Sequence, residues 1–199
     1  DGVTADLRTL VVVPTLLTSL DDIEELIERL EVHFLSNAEG EVYFALLTDW
    51  TDATTESKPS DAELLNAIAN GIDVPKNRHG TNRFFLLHRH RKWNEQQNRW
   101  MGWERKRGKL QELNRLLRGA TDTSFATISA PLPEAIRYVI TLDADTKLPR
   151  DAVRRLVGKI AHPLNQPIFD QAKKRVTSGF AILQPRVTPS LPVGHYGSM

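Results

Sequence analysis

Asp143 and Asp145 are two carboxylates set two residues apart in Ile140-Thr141-Leu142-Asp143-Ala144-Asp145-Thr146. The apolar residues before them read as a strand, so the acids fall just past its end. Alternate residues of an extended segment point the same way, and both acids can then face one ligand. Two hard oxygen donors are what Mg²⁺ or Mn²⁺ takes from protein when phosphates supply the other ligands. A metal held there would bridge to a diphosphate and neutralise the charge that builds as it leaves. The same residues also suit a plainer task, capping the turn after a strand.

A second group is basic and aromatic: His88-Arg89-His90-Arg91-Lys92-Trp93, then Trp100-Met101-Gly102-Trp103-Glu104-Arg105-Lys106-Arg107-Gly108-Lys109. Such a cluster can neutralise a diphosphate, bind nucleic acid through charge and stacking, or dock onto other protein or lipid headgroups. It also suits a solvated face, with Lys and Arg stems covering the rings. Lys109 reads as the opening of a helix over Leu110–Leu117, which favours a phosphate. His88 and His90 form a His-x-His pair with no third ligand in sight, so they are read as structural.

The elements that position these groups alternate. Leu10–Val13 reads as a buried strand closed by Pro14, and Thr18 or Ser19 caps a helix carrying Ile23, Leu26, Ile27, Leu30 and Phe34. Val42–Leu47 is a second strand, ending at Thr48-Asp49. Ser60-Asp61-Ala62-Glu63 reads as a capping box for a helix that stops near Gly71. Arg83–Leu87 and Ile136–Leu142 are further strands. Asp151 opens a helix ended by Pro163, and Phe180–Leu183 is a last strand candidate. Strand and helix in alternation predict an α/β domain with a mostly parallel sheet. Ligands of such sheets sit beyond the carboxyl ends of the strands, here Pro14-Thr15, Thr48-Asp49, His88-Arg89 and Asp143–Asp145.

Composition excludes little else. The 199 residues contain no cysteine, which removes disulfides and thiol chemistry. Net charge is +1 at neutral pH, so there is no global pull toward nucleic acid, and no apolar run reaches a membrane span. The first residue is Asp1, and Pro192–Met199 is loop-like, so both ends read as edges of a piece of a longer protein.

These residues resemble known families. The string around Asp143 is similar to the nucleophile loop of haloacid-dehalogenase-type phosphatases, where the first Asp attacks phosphorus. There the motif lies near the chain start, with more acids downstream; here only Asp151 and Asp170 follow. The fuller resemblance is to family-2-type GT-A glycosyltransferases, carried in order by Val12-Val13-Pro14-Thr15, Thr48-Asp49, Gly108-Lys109 with Leu113-Asn114, and Asp143-Ala144-Asp145. More narrowly, Trp100–Leu110, Leu113–Gly119, Tyr138–Thr146 and Leu183-Gln184-Pro185-Arg186-Val187 resemble the glycosyltransferase domain of cyclic β-1,2-glucan synthases. This resemblance covers essentially the whole chain.

It implies a Rossmann-like GT-A domain of three layers over residues 1–199, incomplete at its C-terminus, on the cytoplasmic face of a bacterial inner membrane within a larger membrane protein. It implies UDP-glucose as donor, a growing β-1,2-glucan as acceptor, Mg²⁺ or Mn²⁺ as cofactor, other domains of the parent protein as partners, and no nucleic acid. Pro14 and Thr15 would line the uracil pocket, and Asp49 would contact base or ribose. Lys109 would meet the diphosphate with Asn114 nearby. Asp143 would face ribose or sugar, and Asp145, with Asp143, would hold the metal. Related enzymes place a catalytic Asp and a Gln-x-x-Arg-Trp-like motif after this point. Gln96-Gln97-Asn98-Arg99-Trp100 resembles that motif but precedes the acidic pair. The expectation is therefore a donor-binding half that holds UDP weakly with metal and turns over little.

Overall fold

The long apolar runs become strands buried on both faces, with helices between them. A computed structural model describes residues 2–185. In chain order the elements are β1 (Thr9–Leu17), α1 (Leu20–Asn37), β2 (Val42–Trp50), α2 (Asp61–His79), β3 (Phe84–Arg89), β4 (Lys92–Asn94), β5 (Arg99–Met101), α3 (Arg105–Leu116), β6 (Phe125–Ile128), β7 (Tyr138–Thr141), α4 (Ala152–Ala161), β8 (Ile168–Asp170) and β9 (Arg175–Ser178). Residues through Val157 form one unit and those from Gly158 onward a second.

The first unit holds a five-stranded sheet in the order β6-β3-β2-β1-β7. All neighbours are parallel except β3 and β6. The expected α/β, Rossmann-like arrangement is therefore what forms. One face of the sheet packs Val11, Val13, Phe44, Leu46, Phe84 and Leu86 against Leu26 and Leu30 of α1, Ile68 and Ile72 of α2, and Val153 and Val157 of α4. The other face packs Leu10, Val12, Ala45, Leu47, Phe85 and Leu87 against Leu113 of α3. A strand covered on both sides turns apolar residues to both faces, which is why these runs do not alternate.

Several boundaries differ from the sequence reading. Pro14 does not close β1, which runs on to Leu17. The Val12 carbonyl accepts from the Leu142 N–H, so Val12, and Pro14 two residues on, face the β7 side. That neighbour has ended at Thr141, so the missing proline N–H leaves no ladder partner unsatisfied. The second helix does not stop at Gly71 but continues through Pro75 to a left-handed Gly80. Gly71 is there for packing: a Cβ on it would come within 2.0 Å of Ile27 Cδ1. Ser60 makes no side-chain cap. Asp61 instead accepts from the Lys58 N–H at 2.8 Å and from both Nη atoms of Arg91.

Ser19 does cap α1, accepting from the Asp22 N–H. The far end of that helix holds the start of α4, where Asn37 Oδ1 accepts from Val153 N and Asn37 Nδ2 donates to the Pro149 carbonyl. The basic stretch is not loop throughout, because β4 and β5 form a hairpin with Trp93 opposite Trp100. β6 has no counterpart in the sequence reading.

The second unit carries the end of α4, a 3₁₀ turn at Pro163–Asn165 and the hairpin β8–β9. The strand expected at Phe180–Leu183 is absent; Phe180 donates its N–H to the Asn165 carbonyl after a left-handed Gly179. Arg186-Val187 and Pro192–Met199 lie outside the described residues. Among the described residues no helix is long and apolar enough to cross a membrane.

Candidate functional site

The carboxyl ends of β1, β2 and β3 converge on a buried charge cluster. Arg89 is fully buried at the end of β3. It donates to both carboxylate oxygens of Asp49 on β2, at 2.7 and 2.9 Å, and to Glu112 of α3 at 2.9 Å. Its remaining donors reach the carbonyls of Trp103 and Arg105. Glu112 also accepts from the N–H and hydroxyl of Ser124. Burial by itself would lower the Arg89 pKa, but the two carboxylates outweigh it and hold the charge more firmly than usual. Burial would likewise raise Glu112, and Ser124 with Arg89 reverses that.

Lys109 completes the cluster. Its ammonium donates to the carbonyls of Thr15 and Leu47, at 2.6 and 3.0 Å, and pairs with Asp49 Oδ2 at 3.1 Å. Burial pushes its pKa down to about 8, with Asp49 opposing. α3 begins at Arg105 rather than near Leu110, so Lys109 lies in its second turn and not at its opening. It ties the ends of β1 and β2 from below.

The tryptophan-rich segment is shaped by this cluster. A Cβ on Gly102 would lie 2.7 Å from Asp49 Oδ2 and 3.0 Å from Arg89 Nη2, and one on Gly108 would lie 2.1 Å from the Trp103 carbonyl. Only glycine lets the chain pass so close. Arg91 is buried too, stacked 5.3 Å from the Trp50 ring and bonded to Asp61 and the Thr51 carbonyl. Much of the basic stretch is therefore neutralised internally.

Above the cluster lies a pocket of about 200 Å³, lined by Pro14, Thr15, Asp49, Trp50, Arg105 and Lys106 among others. A second hollow of about 320 Å³ shares Thr15 and Leu16 and reaches Arg29 and Ala144. Small-molecule sites typically span about 300–1,000 Å³, a range the two adjoining hollows together enter. Their shared edge is the end of β1. The chain goes from β1 to β2 on one side of that strand, while β7 lies on the other, so this is the switch point of the sheet.

The acidic pair sits at the same end, past β7. The chain there is not extended: the Thr146 N–H donates to the Asp143 carbonyl in a turn, and Arg29 holds the Ala144 carbonyl at 2.8 Å. Both carboxylates are exposed, and Asp143 is ion-paired with Lys106. Among the described residues no cluster of three or more His, Asp or Glu is placed to hold an ion. Two accessible hard oxygens fit Mg²⁺ or Mn²⁺ when phosphate oxygens fill the remaining positions.

Thus Pro14, Thr15, Asp49 and Lys109 gather at one pocket, with Asp143 bound to its rim. Asp145 does not line the pocket, and Asn114 is exposed further along α3. Sequence reasoning passed over Arg89 as the bridge between Asp49 and Glu112, and Arg105 and Lys106 as pocket residues. His88 is buried with Nδ1 2.8 Å from the Thr48 hydroxyl and its ring against Trp50, while its Nε2 has no hydrogen-bond partner. Burial pushes its pKa down to about 4.

No protein-family model matches the chain. It is 52% identical, over 201 aligned residues, to the cyclic beta-(1,2)-glucan synthase NdvB of Rhizobium meliloti (strain 1021). The chain is homologous to a segment of that synthase. All of the chain is matched, so the strand ends, the hairpin and the acidic turn all fall within the shared region. The chain spans 7% of the length of NdvB.

Proposed function

We propose that the chain is the donor-binding part of a GT-A-type glycosyltransferase domain serving β-1,2-glucan synthesis, with UDP-glucose as donor. The observation that carries this reading is the place of the pocket. It lies at the switch point of a Rossmann-like sheet, with cationic side chains on its rim and an acidic turn beside it, in a chain homologous to a glucan synthase segment. Pro14, Thr15 and Trp50 would wall the base, and Asp49 would face the nucleoside from the pocket floor. Asp145 and Asp143 would hold Mg²⁺ or Mn²⁺, which when bound supplies charge neutralisation for the departing diphosphate. The sugar would lie toward the second hollow, beneath Ala144. None of the described residues is assigned as the base that deprotonates the acceptor hydroxyl.

Lys109 has a positioning role in this reading. Its three N–H donors are all engaged with protein acceptors, so it shapes the floor and contributes positive potential rather than a direct bond. Calorimetric titration with UDP, with and without Mn²⁺, tests the proposal. Wild-type protein is expected to bind UDP more tightly with Mn²⁺, and Asp145→Ala is expected to abolish that increment. UDP binding that ignores both the metal and the substitution would overturn the metal assignment. No binding by folded protein would overturn the donor reading.

A further inference from the structure

We propose that the tryptophans of the β4–β5 hairpin, with Trp103 just beyond it, form a stacking platform for a neutral polysaccharide beside the donor pocket. The proposal rests on the glucan-synthesis reading above and names a second ligand surface for it.

Trp93 and Trp100 lie directly opposite one another across the hairpin, so both rings share one face. Met101, the next residue, turns to the other face and is buried. The two ring centroids are 5.9 Å apart. Trp93 is 45% exposed and Trp103 is 39% exposed. Trp103 is seated closely on α3, since a Cβ on Gly108 would come within 2.8 Å of its Cε3. The glycine thus secures the placement of a ring that still presents much of its surface to water. Grouped apolar rings held in place at a surface mark a binding site.

The hairpin is fixed to the pocket at two points. Trp100 and Ala53 exchange backbone hydrogen bonds, both of 2.9 Å. Arg105, which lines the pocket, bonds to Gln97 at the hairpin turn and to Asp52, the neighbour of Ala53. Trp103 itself falls between Gly102 and Arg105, both of them pocket residues.

The polar groups around the rings select the occupant. The turn offers the exposed amides of Gln96, Gln97 and Asn98. From Lys92 to Trp103 the charges are Lys92 and Arg99 against Glu95, a net +1. The guanidinium groups of Arg89 and Arg91, which could serve a phosphate chain, are buried and bonded within the protein. A nucleic acid depends on free cations for its backbone. A pyranose ring instead offers an apolar C–H face to an aromatic ring, and hydroxyls at its edge to amides, which both donate and accept. A neutral glucan is therefore the occupant that this surface fits.

The test is calorimetry with a linear β-1,2-glucooligosaccharide, a single-stranded oligonucleotide of similar length, and UDP with Mn²⁺, on wild type, Trp93→Ala, Trp103→Ala and Trp93→Phe. Wild type is expected to bind the oligosaccharide, and each alanine variant to weaken it about fivefold or more. Trp93→Phe keeps a ring face and is expected to bind it more tightly than Trp93→Ala. UDP affinity is expected to stay within about twofold throughout, since neither ring lines the pocket. Oligosaccharide affinity unchanged in either alanine variant, Trp93→Phe as weak as Trp93→Ala, or tighter binding of the oligonucleotide than of the oligosaccharide would each overturn the proposal. Wild-type protein that binds UDP but no oligosaccharide would also overturn it, leaving the donor reading in place. Protein that binds the oligosaccharide through its tryptophans but binds no UDP would overturn the donor reading and leave the platform standing.

Discussion

Arg89→Leu removes a guanidinium that is fully buried and serves two carboxylates, each 3% exposed. Lys109 still neutralises part of Asp49, and Ser124 still donates to Glu112, but the second carboxylate loses its counter-charge. Removing one member of a buried pair costs about 3–5 kcal/mol, because the remaining charge is stranded away from water. A domain's whole stability is about 5–15 kcal/mol, so this one change consumes a large share. At about 2–4 °C per kcal/mol for a chain of this size, the midpoint should fall on the order of 6–20 °C. Arg89→Lys should recover little, since a point charge cannot make the forked bond to Asp49. The control is Arg105→Ala, whose partner Asp52 is one-quarter exposed and whose own side chain is 60% exposed; exposed pairs contribute about 0–1 kcal/mol. Thermal and urea unfolding followed by tryptophan fluorescence measure all three. A loss below about 1 kcal/mol for Arg89→Leu, or one no larger than for Arg105→Ala, would refute the reasoning that the cluster holds the strand ends.

Two further outcomes follow from the same site. The His88 pKa is about 4 in the folded protein against about 6.5 unfolded. Its contribution is therefore fully present above pH 6.5 and is lost as pH falls toward 4. The groups acting on it are Asp49 and Asp61, which favour its charge, and Lys109 and Arg91, which oppose it. Between pH 7 and pH 5 the loss from this residue should be about 2 kcal/mol, and urea midpoints of His88→Leu should show a correspondingly flatter pH dependence than wild type. Gly102→Ala brings a methyl to 2.7 Å from Asp49 Oδ2, where neither Asp49 nor Arg89 has room to move. Thermal unfolding should show a loss of about 1–3 kcal/mol, with UDP affinity lowered in parallel; an unchanged midpoint would mean that the segment shifts freely.

Much of the fold was legible because strands buried on both sides leave uninterrupted apolar runs. Leu10–Val13, Val42–Leu47 and Arg83–Leu87 could be placed for that reason. β6 was not, because Phe125–Ile128 is a short edge strand with only half of its residues shielded. The extent of α2 differs from the sequence reading because glycine often ends a helix, yet at Gly71 close packing on Ile27 outweighs local preference. The strand ends pointed to the region in which the pocket lies. Its floor was not legible, since nothing local tells a buried Arg89 or Lys109 from the solvated Arg107. The distinction lies in partners 14 to 94 residues away. The glycines of Gly102-Trp103 and Gly108-Lys109 were the available signal, reporting backbone that must pass close to something bulky.

The buried cluster also constrains how this sequence can drift among its descendants. Asp49, Arg89, Glu112 and Lys109 come from three separate elements, and losing any one of them leaves the buried set out of charge balance. Neutral wandering at these positions is blocked unless several change together, so lineages should keep the set whole or replace it whole. Arg105, Lys106 and Asp143 stand in water above it and can each be exchanged singly without endangering the fold. The inheritance of the scaffold and the diversification of what it grips are thereby assigned to different residues only a few positions apart in the same helix.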